Sequence, residues 1–187
     1  MAIYVFYAFK TQLANGHIHL DDATRDGSTI DSDNTHTPVT GVFRVCLIQP
    51  GSSLVTATTS NDVGGTDRNA IDCATVLQIE TLNEVTASGY TAMASGNETD
   101  TDLGSLTLTQ VTGASGYEKW DAADVTINSI AAGQDINGLL IVWDKNTGST
   151  TLSTKVPLIW IGLDEDISTN GGNITITWAS TGIAQIT

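Results

Sequence analysis

The sequence predicts an all-β fold: an antiparallel sandwich, jelly-roll-like, with one short helix at the N-terminus. Three observations carry this. Charged residues make up only 15% of the 187-residue chain, against about 25% in an average domain. Much of the polar surface is instead Thr, Ser, Asn and Gly; Thr is β-branched and suits the solvent side of a pleated sheet. Apolar segments of strand length recur along the chain, separated by turn signals every ten or so residues, and the one strong helical period sits at the start.

The elements follow in order. Tyr4, Val5, Ala8, Phe9 and Leu13 recur at helical spacing, and Asn15-Gly16 supplies a stop. This predicts a helix over about 3–15. "HIHL" reads as a short strand and "DDATRDGSTIDSDNTHTP" as a long polar loop. "GVFRVCLIQPG" is an apolar strand closed by Pro50-Gly51, and "SLVTATT" alternates. "SNDVGGTDRNA" reads as a second loop. "ATVLQIETLNEV" begins as a strand with helical character around Leu77 to Val85. From Leu106 the Leu-Thr-Leu-Thr alternation is the cleanest period-2 signal of the middle region.

"YEKWDAADVTI" follows, and then "NGLLIVWDKNTGSTTLSTKVPLIWIGL", a hairpin candidate whose turn "DKNTG" places Gly148 where positive φ is needed. Its two apolar runs suit strands buried on both faces, or on one face with a partner over the other. In "ITITW" the period predicts Ile174, Ile176 and Trp178 on the core face and Thr175 and Thr177 on the other. Together these make roughly eight to ten strands in a single domain, 1–187. A final strand with no tail behind it is expected to have its edge covered inside an oligomer, because a bare edge invites unwanted pairing.

Charge narrows the function classes. With 21 acidic and 7 basic residues the formal net charge is -14, which opposes binding to nucleic acid or to an anionic membrane. No apolar run reaches the roughly 20 residues that span a bilayer. The N-terminal "MAIYVFYAFKTQLANG" has no basic n-region, so no signal peptide is read there.

Candidate chemistry is sparse. His17 and His19 would share one face of a strand, with His36 as a third metal ligand, but no acidic ligand is placed beside them. The loop from Asp31 sets Asp33 at the third position of a calcium loop, yet Thr35 is weak at the fifth. His36 stands where Gly is required and Val42 where the bidentate Glu belongs. Asp164, Glu165 and Asp166 form a second acidic cluster, read as the solvated end of a strand.

Cys46 and Cys73 read as buried thiols rather than as a disulfide. Trp120, Trp143, Trp160 and Trp178 read as core fillers, the alternative being exposed platforms for sugars. No nucleophile elbow, phosphate loop or H-E-x-x-H motif occurs. The reading is of a non-enzyme with no catalytic, cofactor or metal residues.

Several segments, in order, resemble a family of small tailed-bacteriophage virion structural proteins. They are "LANGHIHL", "VTASGYTA" (85–92), "WDAADVTI" (120–127), "GLLIVWDKNTGS" (138–149) and the closing "LIWIGLDEDISTNGGNITITWASTGIAQIT" (158–187). In the last of these, a Gly-Gly-led strand ending in Trp precedes a final Gly-Ile segment. The resemblance covers about half of the chain. Segments 21–40 and 60–72 are longer than in the family, and an Asp-rich loop replaces its usual small-residue stretch. These departures leave the place on the virion open.

The resemblance implies a capsid decoration (cement) protein on the capsid surface, made in the host cytoplasm. Its partner would be the major capsid protein, it would assemble as a homotrimer, and it would act through buried interface rather than catalysis. The alternatives are a tail or head-fibre component, or a carbohydrate- or receptor-binding module.

Overall fold

The computed structural model describes residues 2–6, 10, 24–26, 38–54, 75–79, 81–95, 101–111, 117–144 and 149–186. Eleven strands are found there: β1 (Ala2–Val5), β2 (Thr24–Asp26), β3 (Pro38–Thr40), β4 (Val42–Ile48), β5 (Thr107–Val111), β6 (Tyr117–Asp121), β7 (Val125–Ile127), β8 (Asp135–Asp144), β9 (Lys155–Ser168), β10 (Ile174–Ile176) and β11 (Ala184–Ile186). Every pairing among them is antiparallel. The main sheet has the order β1-β9-β8-β4; β11-β6-β5 form a second sheet, and β10-β7 and β2-β3 are two-stranded. The all-β class is thus borne out.

The two runs of the predicted hairpin are the centre of the main sheet, β8 paired along β9; its turn residues 145–148, Gly148 among them, lie outside the described residues. Its apolar runs are continuous because both faces of this sheet are covered. On one face Phe43, Val45, Leu47, Ile141 and Trp143 pack with Trp120, Val125, Ile127 and Ile176 of the smaller sheets. On the other, Cys46, Ile48, Leu140, Val142 and Trp160 pack with Phe6, Leu54, Val76, Ile79 and Met93. Each such side chain contributes about 1.5–3 kcal/mol by leaving water. The first core is bridged by Phe43 and Trp120, whose rings meet edge to face with centroids 5.2 Å apart.

Proline in a central strand removes a ladder hydrogen bond, so it is confined to irregular positions. Pro157 obeys this. The register slips at Ile141/Val142, leaving Leu158 as an extra residue beside it. The Leu158 carbonyl then accepts the backbone N–H of Phe6 at 2.9 Å.

The N-terminal helix over 3–15 is corrected at its start. Residues 2–5 form β1, with Ile3 opposite Ile161 and Val5 opposite Ile159. Val5 packs on the first core and Phe6 is buried in the second. Consecutive residues on opposite faces require a strand, since a helix would turn them only about 100° apart. The ladder to β9 therefore overrides a local period that was marginal for a short helix. Lys10 donates its backbone N–H to the Phe6 carbonyl at 3.3 Å, in helical geometry. The rest of the predicted helix lies outside the described residues, as do "HIHL" and most of both long loops.

Two further expectations change. The loop after "HIHL" contains β2, paired with β3. Among the described residues, helical character near Leu77 to Val85 is limited to one 3-10 turn at Val76–Gln78, and residues 81–85 instead run along the outer edge of β4.

That edge is closed by the chain itself. Gln49 N–H donates to the Asn83 carbonyl, Val85 N–H to Leu47, Val45 N–H to Thr101 and Leu103 N–H to Phe43, all at 2.8–3.0 Å. The Leu47 N–H is capped by a side chain, the Tyr90 hydroxyl at 3.1 Å. Tyr90 donates in turn to Glu84 Oε1 at 2.6 Å, and Glu84 also accepts the Met93 N–H. Gly89, at φ +89°, makes this turn possible: a Cβ there would sit 2.3 Å from the Ser129 carbonyl oxygen. The Gly-Tyr pair of "VTASGYTA" is therefore an edge-sealing device.

Burial, the neighbouring Glu84 charge and the bond to Glu84 hold the Tyr90 phenol well above its ordinary value of 10.0. The folded state thus keeps a proton that the unfolded chain releases from about pH 10 upward. The stabilisation is complete below pH ~10 and is lost as pH rises towards the folded value. Tyr90→Phe is expected to cost about 1–3 kcal/mol at neutral pH by orphaning the Leu47 N–H. It should also flatten the alkaline fall in stability, as read from urea midpoints between neutral and strongly alkaline pH. An unchanged alkaline slope would remove Tyr90 as its source.

Candidate functional site

The closing segment builds an open apolar feature of the described surface. After β10 the chain turns at Ala179–Gly182, where Gly182 N–H donates to the Ala179 carbonyl at 2.8 Å. Ile183 N–H then donates to the Trp120 carbonyl at 2.8 Å, anchoring the segment to β6 before it pairs as β11. Between this segment and the main sheet lies a groove of about 390 Å³. Ile3, Leu139 and Ile161 from β1, β8 and β9 form one side; Ile176, Trp178 and Ile183 are among the residues of the other.

Trp178 is held in place by its polar atoms. Its Nε1–H donates to the Ala123 carbonyl at 3.1 Å and its backbone N–H to Asp124 Oδ1 at 3.3 Å. Thr177 Oγ1 donates to the other Asp124 oxygen at 3.3 Å. The indole thus has its hydrogen-bonding demand met outside the groove and presents apolar surface to it. Ile3, on the edge strand beside the groove, is 53% exposed.

The acidic cluster has a definite place. Ile136 pairs with Ile167 and Gly138 with Gly162, so Leu163 to Asp166 are inserted opposite Asn137 alone. Asp164, Glu165 and Asp166 are exposed on this bulge, and Asn137 Nδ2 donates to Asp166 Oδ1. The cluster therefore interrupts β9 rather than ending it. Among the described residues, no three His, Cys, Asp or Glu side chains are grouped to hold a metal ion. His17, His19, His36, Asp31, Asp33 and Thr35 lie outside the described residues; Val42 opens β4. Cys46 is buried in the main sheet, and Cys73 lies outside the described residues.

The tryptophans follow the core expectation. Trp120, Trp143 and Trp160 are buried, and Trp178 packs half-buried against the first core. The register predicted for "ITITW" also holds: Ile176 is buried, Ile174 and Trp178 are half-buried, and Thr175 and Thr177 are exposed.

Sequence reasoning missed a charge network at one end of the main sheet. Lys155 and Asp144 are directly paired across β8 and β9, both fully buried, with Lys155 Nζ donating to Asp144 Oδ2. Arg44 Nη1 lies 3.7 Å from the same oxygen, and its Nε lies 3.0 Å from Asp102 Oδ1. The signal was present in "VFRVCLI": a charge inside a fully apolar strand requires opposite charges nearby.

Comparison with protein-family models, with curated proteins and with solved structures finds no match for the chain. Among the described residues, no helix is long and apolar enough to cross a membrane.

Proposed function

We propose that the chain is a non-enzymatic bacteriophage virion structural protein, a capsid decoration protein that stabilises the shell through protein–protein interfaces. The observation that supports this most is where the phage-like closing segment falls. Residues of 158–187 supply most of the lining of the open apolar groove, so the part of the chain that carries the resemblance also forms a surface suited to contact. A sandwich or jelly-roll-like arrangement fits the same reading, with the main sheet stacked through Phe43 and Trp120 on the smaller sheets. Such a protein needs no catalytic group; buried interface between capsomers is enough.

The sugar-binding alternative gains less support. Three tryptophans are buried and the groove is lined largely by aliphatic side chains, whereas hydroxyl-rich ligands need fixed polar partners. The test is cosedimentation of the purified protein with emptied heads of the phage that encodes it, after light scattering has given its mass. Saturable binding that raises the melting temperature of the heads is expected, from a protein that is trimeric free or on the shell. Binding to tails and not to heads would replace the cement role with the tail role.

A further inference from the structure

We propose that the groove between the β1 edge and the closing segment receives an apolar segment of a partner protein flanked by Lys or Arg residues, and not a second copy of this chain. The floor and the rim point the same way. The floor is aliphatic and aromatic, from Leu139, Ile161, Ile176, Trp178 and Ile183, and exposed Ile3 extends it outward. Exposed acidic residues adjoin both walls, by hydrogen bonding on one side and along the chain on the other. Asp124, exposed, is bonded to Thr177 and Trp178 of one wall. On the other, Ile161 leads through Gly162 and Leu163 into the exposed Asp164–Asp166 bulge, and Ala2 of β1 pairs with Gly162 where that bulge begins.

The interior network sharpens the contrast. Arg44 and Lys155 are buried and paired, Lys155 with buried Asp144 and Arg44 with half-buried Asp102. Removing those four residues from 21 acidic and 7 basic leaves 21 − 2 = 19 against 7 − 2 = 5. Lys119, opposite Gln185 of the closing segment, is paired with Asp121 at 3.0 Å. A second copy would bring the same acidic rim to the groove, and like-charge juxtaposition opposes that contact. A segment with apolar anchors and basic flanks satisfies floor and rim together.

The inference concerns the chemistry of the occupant and goes beyond the virion reading, so it is tested without phage particles. The probes are synthetic peptides with an aliphatic core flanked by lysines, the same core flanked by glutamates, and a Gly-Ser core flanked by lysines. Titration calorimetry against the whole protein is expected to show binding of the first peptide only. Raising salt should weaken it, as screening requires. Neutralising the bulge with Asp164→Asn, Glu165→Gln and Asp166→Asn should weaken it roughly tenfold, and Ile3→Asp by at least as much.

Both sets of changes fall on exposed positions, so circular dichroism is expected to show an unchanged fold. Equal binding of the glutamate-flanked peptide, binding of the Gly-Ser peptide, or no binding of any would each overturn the proposal. So would self-association abolished by Ile3→Asp, which would make the occupant a second copy. Head binding without peptide binding would sink this inference and leave the cement reading standing.

Discussion

Lys155→Met is expected to lower the unfolding free energy by about 3–5 kcal/mol, the range for breaking a buried ion pair by removing one partner. The ammonium and Asp144 are both fully buried and face each other across β8 and β9. Methionine nearly matches the length of the stem but cannot answer the carboxylate. The Arg44 Nη1 stays 3.7 Å from Asp144, with its Nε engaged by Asp102, too far to replace the lost ammonium. The double variant Asp144→Leu, Lys155→Met removes both desolvated charges and should regain most of the loss, with Arg44 still held by Asp102. Urea unfolding followed by tryptophan fluorescence measures both. A single-variant loss under about 1 kcal/mol would mean that water reaches the pair and screens it.

What the sequence revealed depended on the range of the cause. The β8–β9 pairing was legible from two continuous apolar runs about a turn signal, and the Ile/Thr register of β10 from alternation, patterns the chain carries within a few residues. Residues 2–5 misled because Tyr4, Val5, Ala8 and Phe9 satisfy a helical spacing, while the deciding partner, Ile159 to Gly162, lies at the far end of the chain. The edge seal on β4 was equally hidden. Tyr90 looks like any aromatic after a turn until the Leu47 N–H is placed beside its hydroxyl. The groove arises from three separate strands and a docked terminal segment, and no local pattern encodes such a meeting. The acidic bulge was seen as a cluster, but its insertion opposite Asn137 depends on the register of two strands. Arg44 also left a local trace, since a charge in an apolar run announces its need for a partner.

Gly138→Ala should be nearly as damaging as loss of Lys155, at about 3 kcal/mol, the upper end of ordinary overpacking. Gly138 lies in the middle of β8, where glycine is otherwise a poor choice because it packs nothing and is conformationally free. The reason is Trp160. It pairs with Leu140 on the neighbouring strand, and its ring leans diagonally across Gly138, within reach of a long side chain on the same face. A Cβ at 138 would fall 2.2 Å from Trp160 Cη2 and 2.7 Å from the Ile161 carbonyl oxygen. Neither neighbour yields easily: the ring is buried in the second core, and the carbonyl belongs to the central strand β9. Trp160→Leu alone should cost about 2–4 kcal/mol through the cavity it leaves. Combined with Gly138→Ala it should cost less than the sum of the two by about 1–2 kcal/mol, because the smaller side chain vacates the space that the new methyl needs. Denaturant midpoints of the four proteins in this cycle give the coupling directly. Strict additivity would show that the ring does not rest on Gly138, and that the glycine answers to the Ile161 backbone alone.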